Sequence, residues 1–305
     1  MLPITNDVFS ARQITSASVS SGKDREAKWV SLLALSALVL WLYAGPLVSL
    51  ARQWWDDGNY SHGFFVPLFA GYILWRERER WRKVPLRANN FGFVIMLFAV
   101  GLMILGTLGA EAFTLRFSLI VMIAGMVVFL AGWRLLRSVA FPIGYLIFMI
   151  PLPALIYYQL TFPLQLLASR LGAAGLVRLG IHTVREGNLL FLPNCTLEVV
   201  DACSGVRSLL SLLAATVAYA YFAEPVIWKR VFLTASTVPI VIVINGIRLV
   251  ATGALSYYFG PEIDAGVIHL LLGVGSFALA LLAVFLVHRL LRQWKTQGNP
   301  AGEPA

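Results

Sequence analysis

Residues 231–258 read "VFLTASTVPIVIVINGIRLVATGALSYY", an apolar run whose one charged residue is Arg248. At about 1.5 Å of helical rise per residue, the run is longer than the ~30 Å hydrocarbon core of a bilayer. Comparable runs recur along the chain, and spans are expected near 29–50, 62–75, 91–110, 115–133, 138–158, 205–223, 231–258 and 266–288. Of the 305 residues, 59% are hydrophobic and 13% are charged. That charged share is about half the usual share for soluble domains. The fold class that follows is an all-α polytopic membrane protein of about eight transmembrane helices. The first run, near Trp29, is long and is followed by further spans, so it reads as a retained helix and not a cleaved signal peptide.

The net charge of +9 raises the question of nucleic acid, but its distribution answers it. Lys and Arg cluster in the leader (Lys23, Arg25, Lys28), in "RERERWRKVPLR" at 76–87, in "WRLLR" at 133–137, in "WKR" at 228–230 and in "HRLLRQWK" at 288–295. On the span map these all fall on one side of the membrane. The opposite side holds Arg52, Arg116, Arg170, Arg178 and Arg185, with acidic residues at Asp56, Asp57, Glu262 and Asp264. This asymmetry places both termini in the cytoplasm and excludes a polyanion-binding face.

Residues 160–204 are too polar to span and too apolar for a free linker. "LTFPLQLLASRLGAAGLVRLG" at 160–180 repeats apolar residues at helical spacing and predicts an amphipathic helix at the extracytoplasmic interface. "TVREGNLLFLPNCTLEVVDACSG" at 183–205 has the β-branched residues and turn formers of a small β-hairpin. The domain organisation expected is therefore a loosely ordered cytoplasmic leader (1–28), one integral-membrane domain (29–290) with an extracytoplasmic cap at about 159–204, and a cytoplasmic tail (291–305).

The cap leads directly into Cys203 at the start of the sixth span. Unsatisfied backbone N–H groups and the dipole at a helix N-terminus favour a thiolate. Arg207 follows one helical turn later. Arg248 sits about 16 Å inside its span, where an unpaired charge costs roughly 2.5–3.5 kcal/mol and so calls for a polar cavity or partner. Asn245, three residues earlier, can line the same cavity. His269 falls about one turn inside the last span. Each residue also has a plainer reading: a small buried cysteine, a structurally paired arginine, a packing histidine. Together they supply a nucleophile, an oxyanion-stabilising cation and a proton donor or acceptor, the set acyl transfer needs. One rival is a disulfide between Cys195 and Cys203, the only two cysteines, in an oxidising compartment. Tyr60 and His62, in "DDGNYSHGFFVPLF" at 56–69, stand at a helix entrance as substrate-lining residues or as helix caps. His182 reads as a surface residue of the cap, and His288 lies among basic anchors. The sequence shows no metal-ligand cluster, cofactor motif or nucleic-acid module.

At this point a resemblance is apparent. "NYSHGFFVPL" (59–68), "FPIGYLIFMIPLP" (141–153), "REGNLLFL" (185–192), "LEVVDACSGVRSLL" (197–210), "NGIRLVATGAL" (245–255) and "IHLLLGVGSF" (268–277) resemble the exosortase/archaeosortase family of membrane-embedded cysteine transpeptidases. The resemblance implies a catalytic set that maps onto Cys203, Arg248 and His269. It implies substrates that are exported proteins with a C-terminal PEP-CTERM-like sorting tail: a Pro-Glu-Pro-type motif, one transmembrane helix and a basic cluster. It further implies cleavage near the motif and transfer of the new C-terminus to an acceptor nucleophile not identified by the sequence. The expected setting is the bacterial cytoplasmic (inner) membrane, with the active site towards the extracytoplasmic face. No metal or other cofactor is implied. Arg207, with Arg185 or Arg170, is a candidate partner for the motif's glutamate. Cys195 maps to no role in the family. The alternative is a polytopic transporter or exopolysaccharide-export component, for which buried Arg, Asn and His would line an anion path. Against it, no internal repeat is visible.

Overall fold

Glycine and proline divide the apolar runs into helices, and small residues let those helices lie close. The computed structural model describes residues 33–199, 205–260 and 266–297; at 269 and over 294–297 it describes the backbone only. The chain begins with α1 (Leu33–Leu42) and α2 (Ala44–Asp56), which are bent from one another by 60°. A 3-10 turn (Ser61–Phe64) leads into α3 (Phe65–Arg76) and the short α4 (Arg78–Arg82). Next come α5 (Phe91–Leu108) and α6 (Ala112–Ala131), a hairpin in which Gly92 lies against the backbone of Phe129 and Gly106 against that of Leu115. A side chain at either glycine would force the two helices apart. Glu111 caps α6, accepting hydrogen bonds from the backbone N–H groups of Phe113 (3.1 Å) and Thr114 (2.6 Å).

After α7 (Trp133–Tyr145) and a 3-10 turn (Leu146–Met149), Pro151 and Pro153 interrupt the helix, and α8 (Ala154–Arg178) begins. The strands β1 (Val184–Glu186), β2 (Leu189–Phe191) and β3 (Thr196–Glu198) form one antiparallel sheet in the order β1-β2-β3. The expected hairpin is thus one strand larger. Its Leu190–Leu197 pair is buried against α8 and the late turns of α10. The chain then runs through α9 (Val206–Ala223), α10 (Ile227–Phe259) and α11 (Val267–Gln297).

Six described helices are long and apolar enough to cross a membrane, or seven if α1 and α2 form one bent span. This is the polytopic all-α architecture expected, with a small sheet. The span expected at 138–158 is corrected: its helix stops at Met149, because the prolines that follow remove backbone donors and disfavour helical geometry before them. The α3 helix, expected as a span at 62–75, is 12 residues long and is not among the six.

The course of α8 needs its contacts as well as its composition. By length and hydropathy it qualifies as a span. Yet the ring of Tyr157, in its first turn, lies 6.3 Å from that of Tyr60, just beyond α2. Its later residues Leu171 and Leu176 pack on Gly246 and Gly253 of α10, beside the sheet. Both ends of α8 therefore lie at the end of the bundle that carries the sheet, here called the cap end. The opposite, basic end holds Arg76, Arg80, Lys229, Arg230 and Arg292.

At that basic end the helices are fastened by polar groups. The side chains of Glu224 and His288 are 4% and 3% exposed and lie 2.8 Å apart, Oε1 to Nε2. Tyr219 Oη lies 2.6 Å from the other ring nitrogen of His288. Buried Lys229 donates to the carbonyl of Leu291 at 3.0 Å, and Arg230 donates to that of Glu224 at 2.6 Å. Tyr221 donates to Glu77 at 2.6 Å, tying α9 to the turn between α3 and α4.

Candidate active site

The site is built where α9 begins. Gly205 caps that helix with φ +84°, in the left-handed region that favours glycine. A Cβ added there would sit 3.1 to 3.3 Å from the side chain of Asn245. Glycine is thus required twice: for the backbone angle and for the approach of α10. Asn245 is buried, and its side chain lies close against the start of α9.

Arg248 follows three residues later and is half-buried. It continues the face of α10 on which Val241 and Ile244 pack with Leu212 of α9 and with Ala280 and Val284 of α11. Gly246, Val250 and Gly253 occupy the opposite face, against α8. Arg248 therefore stands on the side where α9, α10 and α11 meet. His269 is the third residue of α11, and its side chain lies outside the described structure. The antiparallel helices α10 and α11 are registered by the Lys229–Leu291 hydrogen bond. Counting back equally along both brings residue 269 level with residue 251, about one turn beyond Arg248. Cys203 lies outside the described residues, two positions before Gly205 in the chain. Its pairing with Cys195 lies outside them too. Cys195 is half-buried in the turn between β2 and β3, where its carbonyl accepts from the N–H of Leu192 at 2.8 Å.

A second wall comes from the far end of the sequence. The loop after α2 reaches the first two turns of α9, and Ser211 Oγ lies 3.2 Å from His62 Nδ1. Arg207 Nε donates to Asn59 Oδ1 at 2.9 Å. Tyr60 is buried beside Tyr157. Burial, with the neighbouring Tyr157 and Asp57 adding to it, pushes the Tyr60 phenol up to about 12, so it stays neutral and acts only as a hydrogen-bonding group. Trp54 donates its indole N–H to the carbonyl of Met149 at 2.8 Å, pinning this loop to the break before α8.

Of the residues expected at the site, Asn245, Arg248, Arg207, Tyr60 and His62 are brought to the start of α9. Arg185 is placed differently: its Nη1 donates to Gly187 O at 2.8 Å, within the turn of its own hairpin. Arg170 is exposed on α8. Among the described residues, no group of three or more His, Cys, Asp or Glu is placed to hold a metal. Gly58, Asn59 and Ser211 were not singled out from the sequence. Gly58 and Asn59 in a turn, and Ser211 within α9, carry no sign in the sequence of a partner about 150 positions away.

No curated protein and no solved structure matches this chain. A family model does, over residues 54–286, from the end of α2 through most of α11. Those residues contain the α2–α3 loop, the cap and all three helices that meet at Arg248. On this match, the chain belongs to the transmembrane exosortase family.

Proposed function

We propose that this protein is a cysteine peptidase of transpeptidase type, acting on the C-terminal sorting tails of exported proteins at the extracytoplasmic face of the bacterial inner membrane. One observation carries the reading. The start of α9, just after Cys203, lies against Asn245, one turn before Arg248 on α10, and His269 lies on the helix that packs on the same side.

In the proposed mechanism the Cys203 thiolate, favoured by the α9 N-terminus, attacks the scissile carbonyl carbon. Arg248 stabilises the oxyanion of the tetrahedral intermediate, where a low-dielectric setting strengthens its charge. Collapse breaks the C–N bond, and the leaving amine takes a proton from His269. A thioester remains on Cys203. An acceptor nucleophile or water then attacks it, gives its proton to His269 and releases the thiolate. The bilayer is the second partner. The substrate's transmembrane helix lies beside the bundle, and its basic tail stays with the basic end, a cytoplasmic setting that the distribution of Lys and Arg supports.

The test is processing of a co-expressed reporter with a Pro-Glu-Pro tail, followed as a size shift on a blot. Wild type, Cys203→Ala and Cys195→Ala are compared at matched expression. Cleavage is expected to stop in Cys203→Ala alone. Loss in both variants would favour a structural disulfide, and undiminished cleavage in Cys203→Ala would overturn the peptidase reading.

A further inference from the structure

The α2–α3 loop treats Arg207 in a way that its place on an exposed helix turn does not require. Asn59 is itself fixed, because its backbone N–H donates to Asp57 Oδ1 at 2.8 Å while Tyr60 N–H donates to Asp57 O at 3.0 Å. The Asn59 side chain then holds Arg207 Nε at 2.9 Å. A Cβ added at Gly58 would lie 3.2 Å from Cζ, Nη1 and Nη2 of Arg207 alike. Equal distances to the central carbon and both terminal nitrogens mean that the guanidinium plane rests face-on over Gly58. The holding group is a neutral amide, so the positive charge is not cancelled. Among the described residues, Nη1 and Nη2 have no hydrogen-bond partner, and no carboxylate lies within ion-pair distance of Arg207. The result is an exposed two-pronged donor edge, held still, four residues after Cys203 in the chain.

We propose that this edge is a carboxylate-binding subsite that reads an acidic side chain of the substrate peptide, and that Gly58 and Asn59 are the residues that set its aim. A guanidinium fork matches a carboxylate with two parallel hydrogen bonds, and fixing its plane beforehand reduces the ordering that binding would otherwise require. The α9 N-terminus adds attraction for an anion. The peptide nature of the ligand rests on the function proposed above; the geometry of the fork does not.

The experiment measures binding and needs no turnover. Purified Cys203→Ala protein in detergent is titrated with fluorescein-labelled sorting peptides carrying Glu, Gln or Lys at the central position of the motif, read by anisotropy. The parent is expected to bind the Glu peptide about tenfold or more tightly than the Gln peptide. Adding Arg207→Ala should bring that ratio near one, and Arg207→Glu should reverse it in favour of the Lys peptide. Arg207→Lys should not restore it, since an ammonium is a point charge and not a fork. Gly58→Ala and Asn59→Ala keep the guanidinium and should still lower the ratio severalfold. A ratio within one variant is unaffected by how much of the protein is folded. An unchanged ratio in Arg207→Ala or Asn59→Ala would overturn the proposal. Equal weakening for all three peptides would also overturn it, marking Arg207 as a general anchor to lipid or fold. A discriminating ratio alongside uncleaved reporter in the Cys203-intact protein would leave the subsite standing and remove the peptidase reading.

Discussion

Glu224 and Arg207 stand at opposite ends of α9, and their surroundings are opposites as well. Glu224 is sealed: His288, Arg230 and the flanking Arg292 close around it, and Tyr219 satisfies the far side of the histidine ring. Arg207 is held by one neutral amide with its charged edge outward. Two ionic groups on one helix thus do different work. A buried charge without a partner is strongly destabilising, and at the basic end Glu224, His288 and Tyr219 are turned toward one another. At the cap end, the α2–α3 loop, α9 and α10 supply the polar groups.

The contrast can be broken most severely at Glu224. Glu224→Ala leaves His288 Nε2 without its hydrogen-bond partner in a buried site, and a buried polar group left unsatisfied costs about 1–3 kcal/mol. Unfolding followed in detergent should show a loss of that order, while reporter cleavage per folded molecule stays within about twofold of wild type. Abolished cleavage with an undisturbed fold would give the basic end a role in the chemistry. At the other end the signature inverts. Arg248→Ala is expected to slow reporter cleavage by about 100-fold or more, the usual cost of removing one oxyanion donor. Its midpoint of unfolding should shift little. Retained cleavage would remove Arg248 from the proposed mechanism.

The smallest effect belongs to the cap of α6, which serves neither end's polar cluster. Burial works against ionisation of Glu111, but its hydrogen bonds from Thr114 and Phe113, with the charge of Arg116, outweigh it and hold the carboxyl below its usual range. Because the folded state lowers this pKa, the stabilisation is complete above the unfolded value and fades as pH falls through the folded one. Glu111→Gln should lower stability by under about 1 kcal/mol at neutral pH, and the difference from wild type should vanish under acid. A difference that persists in acid would show that the carboxylate is not its source.

The candidate residues are conspicuous in the sequence. Cys203, Arg248 and His269 stand out because polar residues within apolar runs are conspicuous and because Gly205 marks a helix start. What stayed hidden was adjacency. Arg207 meets Asn59 across 148 positions, and Glu224 meets His288 across 64. Nothing local to either residue records the distant one. His288 looks like one more basic anchor in sequence, because its neighbours there are basic; its partners in space are an acid and a phenol. Arg185, a candidate substrate contact by charge and position, instead turns back on its own hairpin and bonds a carbonyl two residues away.

Hydropathy and helical rise by themselves determined that this chain crosses a membrane and where its apolar runs lie, since both depend on residues close together in sequence. Only the tertiary structure decided that α8 begins and ends at the cap end, that the α2–α3 loop grips α9, and that the basic end is sealed by a buried pair. Those outcomes are set by packing and hydrogen bonding between segments far apart in the chain, and a bilayer, equally apolar on every side, gives an isolated helix no instruction about which neighbour to take.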